Sequence, residues 1–313
     1  MEEKEIDNAY AAGAMEGDGS FYITRRKGKY IKYVAGAGIG KSCKELAGFF
    51  VSSFSGNVNI MADQHRWSLS SSKRMIPFLE SVIPYLQMKK ERAQFLYDWL
   101  KSGMDDQETA YKRMKELNES VDKNLLPQCH QIQIDKDPKK WAYIAGLMDT
   151  DGSFMIHKRL GFNSMKSPNY LARISYGEKD SRTPSFIFDT FPFGVISKKD
   201  NHNCIAGRFV WELVVKDDMI NFINRILPYM KVKTQNAKIV LEFCKNYKPM
   251  KKNHRFGVPQ EELEFREKCY QDLKVFQRRH SKCDLYKSSL MDLKILTDNA
   301  EDNKAEATER CAP

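Results

Sequence analysis

The feature that most limits the possible folds of this chain is an internal repeat. Residues 10–21 read YAAGAMEGDGSF and residues 143–154 read YIAGLMDTDGSF, so eight of twelve positions are identical, 133 residues apart. A second pair of related segments, FLESVIPYLQMKKERAQFLYDWL (78–100) and FINRILPYMKVKTQNAKIVLEFC (222–244), is offset by 144. Because repeats at a fixed spacing indicate a duplicated structural unit, the 313 residues should fold as two related halves.

Both halves share one order of predicted elements. Short stretches of alternating apolar and polar residues predict four strands in each half, and longer amphipathic stretches predict helices. The order is αββαββα, so we expect an α+β protein made of two pseudo-symmetric half-domains. The closing helices are predicted at residues 74–102 and 218–246, and a further helix follows each of them, at 105–119 and 259–281.

The repeat also predicts the domain organisation. We expect an N-terminal half-domain at residues 1–119, a linker at 120–137 and a C-terminal half-domain at 138–296. The remaining residues, 297–313, are polar and acidic, which is typical of a disordered tail.

Composition narrows the class of protein. The hydrophobic share is 42%, too high for a disordered chain, and no apolar run approaches the roughly 20 residues of a membrane-spanning helix. The seven cysteines are scattered without a close pair, which argues against a disulfide scaffold and a zinc ribbon. The first ten residues resemble neither a secretory signal nor a transit peptide. We therefore expect a soluble intracellular protein, in a bacterial or phage cytoplasm or in an organelle, whose net charge of +10 is compatible with nucleic-acid binding.

The repeated motif lies on a helix in each half. Asp7 or Asn8 is expected to cap the first of these motif helices, and Asp137 the second. Two further acids, Glu16 and Asp149, recur near the other ends of the helices. We interpret them as helix-surface or capping residues, because they lie on a different helical face from the acids that follow.

Small residues form a stripe on each motif helix. Gly13 is followed one turn later by Gly17, and Gly146 is followed by Thr150. Small residues four positions apart let two helices approach closely. We expect the two motif helices to pack against each other through Gly13 and Gly146.

Such packing would bring Asp18 and Asp151 together at one end of the helix pair. An isolated acid beside a glycine is usually a turn residue, but two acids at corresponding positions of a duplicated chain favour a metal site. Oxygen ligands suit Mg²⁺, which uses one or two carboxylates together with phosphate oxygens and water. A metal held there could promote phosphodiester hydrolysis.

These motifs resemble a known family. AAGAMEGDG and IAGLMDTDG are similar to the LAGLIDADG motif of homing endonucleases, and the αββαββα order is that of the same family. The resemblance covers about residues 7–285, although Ala11 and Ala14 stand where leucine is usual. It implies a monomer with two fused half-domains, in which the motif helices form the core and two four-stranded sheets form a saddle over duplex DNA.

The resemblance also implies roles for individual residues. The metal ligands would be Asp18 and Asp151, and we include the adjacent Gly17 and Thr150 in the metal site. Lys89 and Lys233 match a basic position near the scissile phosphates, although they could equally be ordinary surface lysines. A polar residue at the end of the second strand helps to organise solvent in the family. The aligned residues here are Lys41 and Glu178, one basic and one acidic.

Strand alternation predicts a DNA-facing surface. Residues two apart on a strand share one face, and the face opposite the apolar one carries polar and basic side chains. Such a face usually meets water, but next to the paired acids it could contact bases and phosphates. The DNA-facing candidates are Ser20, Tyr22, Thr24, Arg26, Lys32, Arg66, Ser68, Ser70, Ser153, His157, Arg159, Arg173, Ser175, Ser197, Lys199 and Glu212.

The sequence therefore predicts a site-specific double-strand DNA endonuclease that acts as a monomer. By the resemblance it would use Mg²⁺, accept Mn²⁺ as a substitute, bind DNA without cleavage in Ca²⁺, and leave 3′ overhangs on a long asymmetric target. Neither a membrane nor a small-molecule substrate is expected. The alternative is an RNA maturase or a cleavage-inactive DNA-binding protein of the same fold.

Overall fold

A computed structural model describes most of the chain. The described residues are 2–41, 44–61, 64–124, 133–159, 167–199, 207–248 and 258–281. The predicted tail at 297–313 and residues 125–132 of the predicted linker lie outside them. Within the described residues, no helix is both long and apolar enough to cross a membrane.

The two halves repeat one order of elements. The first half contains α1 (Glu2–Gly17), β1 (Gly19–Arg26), β2 (Lys32–Lys41), α2 (Lys44–Phe54), β3 (Asn57–Met61), β4 (Gln64–Leu69), α3 (Ser72–Val82), α4 (Lys90–Lys101) and α5 (Gln107–Glu119). The second half contains α6 (Pro138–Thr150), β5 (Ser153–Arg159), β6 (Asn169–Glu178), α7 (Arg182–Thr190), β7 (Val195–Lys199), β8 (Arg208–Leu213), α8 (Lys216–Ile226), α9 (Thr234–Asn246) and α10 (Gln260–Ser281).

Each half builds a four-stranded antiparallel sheet. The strand orders are β1-β2-β4-β3 and β5-β6-β8-β7, so the two sheets have the same topology. The register also corresponds, since Ser20 lies opposite Gly38 in the first sheet and Ser153 lies opposite Ser175 in the second. The predicted α+β architecture of two pseudo-symmetric halves is confirmed.

The prediction of one long closing helix per half, at 74–102 and 218–246, was wrong. A turn divides the first into α3 and α4 and the second into α8 and α9. The turns contain Pro84 and Pro228, which lack an N–H group and disfavour helical geometry at the preceding residue. Each half therefore ends in two shorter helices and then α5 or α10.

The start of the first motif helix also differs from the prediction. Helix α1 begins at Glu2, so Asp7 and Asn8 lie inside it and cannot be its N-cap. The acidic residues before them extend the helix because glutamates near a helix N-terminus interact favourably with its dipole. In α6 the prediction is confirmed, since the Asp137 side chain accepts a hydrogen bond from the Lys139 N–H at 2.9 Å.

The motif helices form the centre of the molecule. Residues 9–16 of α1 and 141–150 of α6 are all buried, and the two helices pack against each other. On either side, corresponding tryptophans fill the space under each sheet. Trp67 packs on Phe78, with ring centroids 5.3 Å apart, and Trp211 packs on Phe222 at 4.9 Å. The core thus reproduces the repeat and fixes the ends of the motif helices between the two sheets.

Candidate nucleic-acid interface and its paired carboxylates

The two motif helices touch at their glycines. A Cβ atom on Gly13 would lie 1.9 Å from the carbonyl oxygen of Tyr143, and one on Gly146 would lie 2.3 Å from that of Tyr10. No side chain fits at such distances, so the backbones are in direct contact. The structure thereby brings together the small-residue stripes of α1 and α6.

The C-terminal ends of the motif helices meet beside the two acids. A Cβ atom on Gly17 would lie 2.1 Å from Thr150 Oγ1 and 2.8 Å from Asp151 Oδ2. Asp18 follows Gly17 directly, and both Asp18 and Asp151 are partly exposed on the turns that lead into β1 and β5. The structure therefore places these two carboxylates at one end of the helix pair, where a ligand can reach them.

The available donors suit a hard cation. The described residues contain no group of three or more His, Cys, Asp or Glu side chains that could hold a metal ion. A cation here would need oxygen ligands from outside this set, such as backbone carbonyls, water and a phosphate. That combination is the usual one for Mg²⁺, so the donor set fits this metal.

Lys89 is buried under the first acid-bearing turn. Its ammonium group donates hydrogen bonds to the carbonyl oxygens of Met15 (2.8 Å), Gly17 (3.0 Å) and Gly19 (2.7 Å). An ammonium group has three protons, so these three bonds use all of them. Burial lowers the pKa of Lys89, and the neighbouring Glu16 carboxylate opposes this shift.

Lys233 makes the same contacts in the second half. Its ammonium group donates to the carbonyl oxygens of Met148 (3.1 Å), Thr150 (2.7 Å) and Gly152 (2.6 Å). Carbonyl groups at a helix C-terminus lack partners in the helix and attract positive charge. Lys89 and Lys233 therefore hold the turns that carry Asp18 and Asp151.

Of the two readings of Glu16 and Asp149, as helix-surface or as capping residues, the helix-surface reading was wrong. Both are fully buried, and each one binds the turn that leads into a different helix from its own. Glu16 accepts the backbone N–H groups of residues 87–89, which lead into α4, and Asp149 accepts those of residues 231–233, which lead into α9. A carboxylate at a helix N-terminus satisfies unpaired N–H groups and interacts favourably with the helix dipole.

Each half thus contains a reciprocal clasp. The acid of the motif helix binds the start of the later helix, and the lysine at that start binds the end of the motif helix. We call these the N-terminal clasp (Glu16 and Lys89) and the C-terminal clasp (Asp149 and Lys233). The signal for them was present in the sequence as a repeated acid and a repeated lysine, but only the fold shows that they meet.

Replacing Lys89 by Met should destabilise the protein by about 3–5 kcal/mol, because three carbonyl groups lose their hydrogen-bond donor and the buried Glu16 carboxylate loses a neighbouring positive charge. Chemical denaturation of both proteins measures this difference. Lys101→Met is the matched control, since the exposed Lys101 pairs with Glu80 at 3.5 Å and lies over the Tyr97 ring at 5.4 Å, and its loss should change stability by less than about 1 kcal/mol. Equal effects of the two substitutions would contradict the clasp.

Unlike Lys89 and Lys233, the candidates Lys41 and Glu178, at the ends of β2 and β6, do not correspond to each other in charge. Glu178 is partly exposed at the end of β6, where its carboxylate accepts the N–H of Lys179 at 2.7 Å. The backbone of Lys41 ends β2 and pairs with His65, whereas the side chain of Lys41 lies outside the described residues. Their opposite charges distinguish the two halves at this position.

The outward face of each sheet carries the predicted side chains. In β1, Phe21 and Ile23 are buried, while Ser20, Tyr22 and Thr24 are exposed or partly exposed. The same alternation holds in β4, β5 and β8. All sixteen DNA-facing candidates, from Ser20 to Glu212, are exposed or partly exposed.

Three side chains of the second sheet form an ion-pair group. Glu212 accepts from Arg173 at 3.1 Å and from Lys199 at 2.6 Å. His157 lies near this group, and burial together with Arg173 and Arg159 lowers its pKa. Glu212 therefore partly offsets the positive charge of the face.

Replacing Glu212 by Gln should tighten non-specific DNA binding and steepen its salt dependence. Arg173 and Lys199 would be released to contact phosphates, and each added contact changes the log–log slope by about 0.9. Fluorescence anisotropy over a salt series with random-sequence duplex measures this. As a control, Glu80→Gln removes one negative charge on α3 and should leave the slope unchanged. If Glu212→Gln also left the slope unchanged, the outward face of the second sheet would not be the DNA-binding surface.

Three further residues lie on the outward faces but were not among the DNA-facing candidates. Asn57 and Asn59 of β3 lie opposite Ser68 and Arg66 and are exposed on the same face. Arg208 of β8 is also exposed on the outward face. Alternation along β3 and β8 would have found all three, because directly paired residues of neighbouring strands share a face.

The central strand of the first sheet has little side-chain volume. Gly36, Gly38 and Gly40 occupy the outward positions of β2. A Cβ atom on Gly36 would lie only 2.3 Å from the Tyr22 ring, so the ring takes up that space. The corresponding strand β6 carries larger outward side chains, among them Arg173 and Ser175. The outward faces of the two sheets therefore differ in shape as well as in charge.

Comparison with solved structures gives the same architecture. No protein-family sequence model and no curated protein sequence matches the chain. The alignment with a structure of the meganuclease I-SmaMI bound to uncleavable DNA covers 87% of this chain and 96% of the I-SmaMI chain, with a TM-score of 0.63 and 16% identity. The LAGLIDADG homing endonuclease I-LtrWI bound to target DNA covers 88% and 98%, with a TM-score of 0.62 and 12% identity.

A third similar structure is the LAGLIDADG homing endonuclease I-GzeII in complex with its DNA target. It covers 84% of this chain and 97% of its own, with a TM-score of 0.63 and 14% identity. The similarity extends over both halves, the paired motif helices and both sheets. The chain therefore has the two-domain fold of the LAGLIDADG homing endonucleases, with both halves in one polypeptide.

Proposed function

We propose that this protein is a site-specific double-strand DNA endonuclease. The observation that carries the proposal is the position of Asp18 and Asp151 beside the contact between the C-terminal ends of α1 and α6, with a polar, partly basic sheet on each side. Two acids related by pseudo-symmetry match a substrate whose two strands are also related by a two-fold axis. Both halves lie in one chain, so one molecule would suffice for both cuts.

The two carboxylates would hold Mg²⁺ next to the scissile phosphates. When bound, the metal would activate water for in-line attack and stabilise the leaving oxygen. The carbonyl groups of Gly17 and Thr150 already accept a lysine proton, and each keeps a second lone pair for a cation or a water molecule. Mn²⁺ would substitute for Mg²⁺, and Ca²⁺ would support binding without cleavage.

Lys89 and Lys233 would act on the reaction through position and charge. Their protons are used by backbone carbonyls, so the ammonium groups would not donate to the phosphate directly. They fix the turns that carry the metal ligands, and their positive charges lie close to the developing negative charge. Electrostatic support of this kind needs no reorganisation during the reaction. Lys41 and Glu178 would organise the surrounding solvent, each in a different way because of its charge.

The sheet faces would bind the DNA duplex. Arginine suits guanine and asparagine suits adenine in the major groove, while serine, threonine and lysine contact phosphates. Because the two faces differ at Gly38 and Ser175 and in their charges, the target should be long and asymmetric. The similar structures of I-SmaMI, I-LtrWI and I-GzeII are complexes with DNA, and one of I-SmaMI contains calcium ions. By analogy, cleavage would occur across the minor groove and leave 3′ overhangs.

A library of randomised duplexes tests this proposal. The protein is incubated with the library in Mg²⁺ and in Ca²⁺, and cleaved molecules are recovered and sequenced. We expect one family of related sites cleaved in Mg²⁺ and only bound in Ca²⁺. Binding of duplex or structured RNA without any cleavage in Mg²⁺ or Mn²⁺ would favour the alternative, an RNA maturase or a cleavage-inactive binding protein.

A further inference from the structure

The two clasps depend differently on the interface between the halves. The hydroxyl of Tyr10, on α1, donates a hydrogen bond of 2.8 Å to Oδ2 of Asp149, on α6. Both groups are buried, and the same oxygen accepts the N–H groups of Lys231 and Val232. A side chain of the N-terminal half is thus part of the C-terminal clasp.

A second contact joins the same places. The ammonium group of Lys231 lies 3.1 Å from Asp7 and packs over the rings of Tyr10 and Phe49, at 5.0 and 4.5 Å from their centroids. Asp7, Tyr10 and Phe49 all belong to the N-terminal half. Lys231 lies in the turn before α9. This turn is therefore held from the other half by an ion pair, by two cation–π contacts and by the hydrogen bond from Tyr10 to Asp149, the acid that binds the turn.

The N-terminal clasp lacks the corresponding contacts. Gln87 stands where the repeat has Lys231, and its amide donates to the carbonyl of Tyr85 within its own half. Lys140 stands at the position of Asp7 and pairs with Asp135 of the linker. Neither residue bridges the halves through these bonds.

The tyrosine on this side also differs. Tyr143 corresponds to Tyr10 in the repeat, and burial together with the nearby Glu16 carboxylate raises its pKa. Its hydroxyl nevertheless makes no hydrogen bond of ordinary geometry with the described residues. Tyr143 therefore faces the Glu16 carboxylate as Tyr10 faces that of Asp149, but without the well-formed hydrogen bond of Tyr10.

We infer that Tyr10 and Asp7 are positioning residues that hold the turn bearing Asp151 from across the interface. The inference rests on the proposed function for its effect on cleavage. If each acid-bearing turn serves mainly one strand, loss of the Tyr10 hydroxyl slows one cut more than the other. The protein becomes a strand-preferring nickase without losing its fold, because the Tyr10 ring and its packing remain.

The first test measures amide hydrogen exchange of the full chain without DNA. In Tyr10→Phe, exchange should accelerate by about ten-fold at residues 231–233 and remain unchanged at residues 87–89. Asp7→Asn should act on the same segment. Tyr143→Phe, the matched control, should leave both segments unchanged. Unchanged exchange at residues 231–233 in Tyr10→Phe, or equal acceleration in both segments, would overturn the inference whether or not the protein cleaves DNA.

The second test uses a duplex target labelled on both strands. Tyr10→Phe should change the ratio of the two strand-cleavage rates by about ten-fold and accumulate nicked product, while Tyr143→Phe keeps the wild-type ratio. Equal slowing of both strands at unchanged DNA affinity would mean a general structural role and would contradict the inference. Absence of cleavage by the wild-type protein would refute the proposed function, and the exchange measurement would then decide this inference alone.

Discussion

Replacing either Asp18 or Asp151 by Asn should reduce double-strand cleavage by about 100- to 1000-fold, with duplex binding in Ca²⁺ largely retained. Asparagine has the size of aspartate but lacks the negative charge that binds a divalent cation. Both acids are partly exposed on turns, so the substitutions leave the buried core unchanged. Single-turnover cleavage of the selected target measures the loss.

The control for this prediction is Asp98→Asn on the surface of α4, where the acid accepts a hydrogen bond from Gln94. This substitution also removes one negative charge, but on α4 and not at the paired carboxylates, so it should leave the cleavage rate unchanged. Wild-type cleavage by both Asp18→Asn and Asp151→Asn would show that the chemistry uses other groups.

Replacing Gly13 or Gly146 by Ala should destabilise the protein by about 3 kcal/mol or more. The added methyl group would fall on a backbone carbonyl of the partner helix, 1.9 or 2.3 Å away. Relief requires the motif helices to move apart, and this also separates the turns that carry the two acids. Any folded variant should therefore lose cleavage as well as stability, which denaturant titration and cleavage assays measure together.

Gly48→Ala is a matched control for the glycine substitutions. Gly48 lies inside α2, and a Cβ atom there would have no atom within 4 Å. Alanine is favoured over glycine inside a helix, so this change should stabilise the protein by about 0.5–1 kcal/mol. If Gly13→Ala stabilised the protein to the same extent, the motif helices could not be in direct contact.

The repeat predicted the duplicated architecture because corresponding residues occupy corresponding places in each half. Trp67 and Trp211 illustrate this, since each packs on the phenylalanine that begins the second repeated segment. The outward faces of the strands were also predictable, because alternation along a strand depends only on local geometry. Helix ends were harder to predict, and the turns at Pro84 and Pro228 were missed because the apolar pattern continues across them.

The clasps could not be predicted from the sequence. Glu16 and Lys89 are 73 residues apart, and their pairing depends on how α4 meets the end of α1. Besides the repetition of the acid and the lysine, the lack of a local partner for an acid inside an apolar helix was a sign that it binds something distant. The Tyr10 bridge is harder still, because it joins two halves whose relative placement follows from the Gly13 and Gly146 contact.

In the proposed reaction, Asp18 and Asp151 at the contact of the motif helices serve the cleavage of the two strands of one duplex. Mapping the ends of both strands at the selected target tests it most directly. We expect one cut per strand, displaced across a single minor groove so that both ends carry 3′ overhangs, with both cuts dependent on Mg²⁺. Blunt ends, 5′ overhangs, or a cut confined to one strand of the wild-type reaction would contradict it.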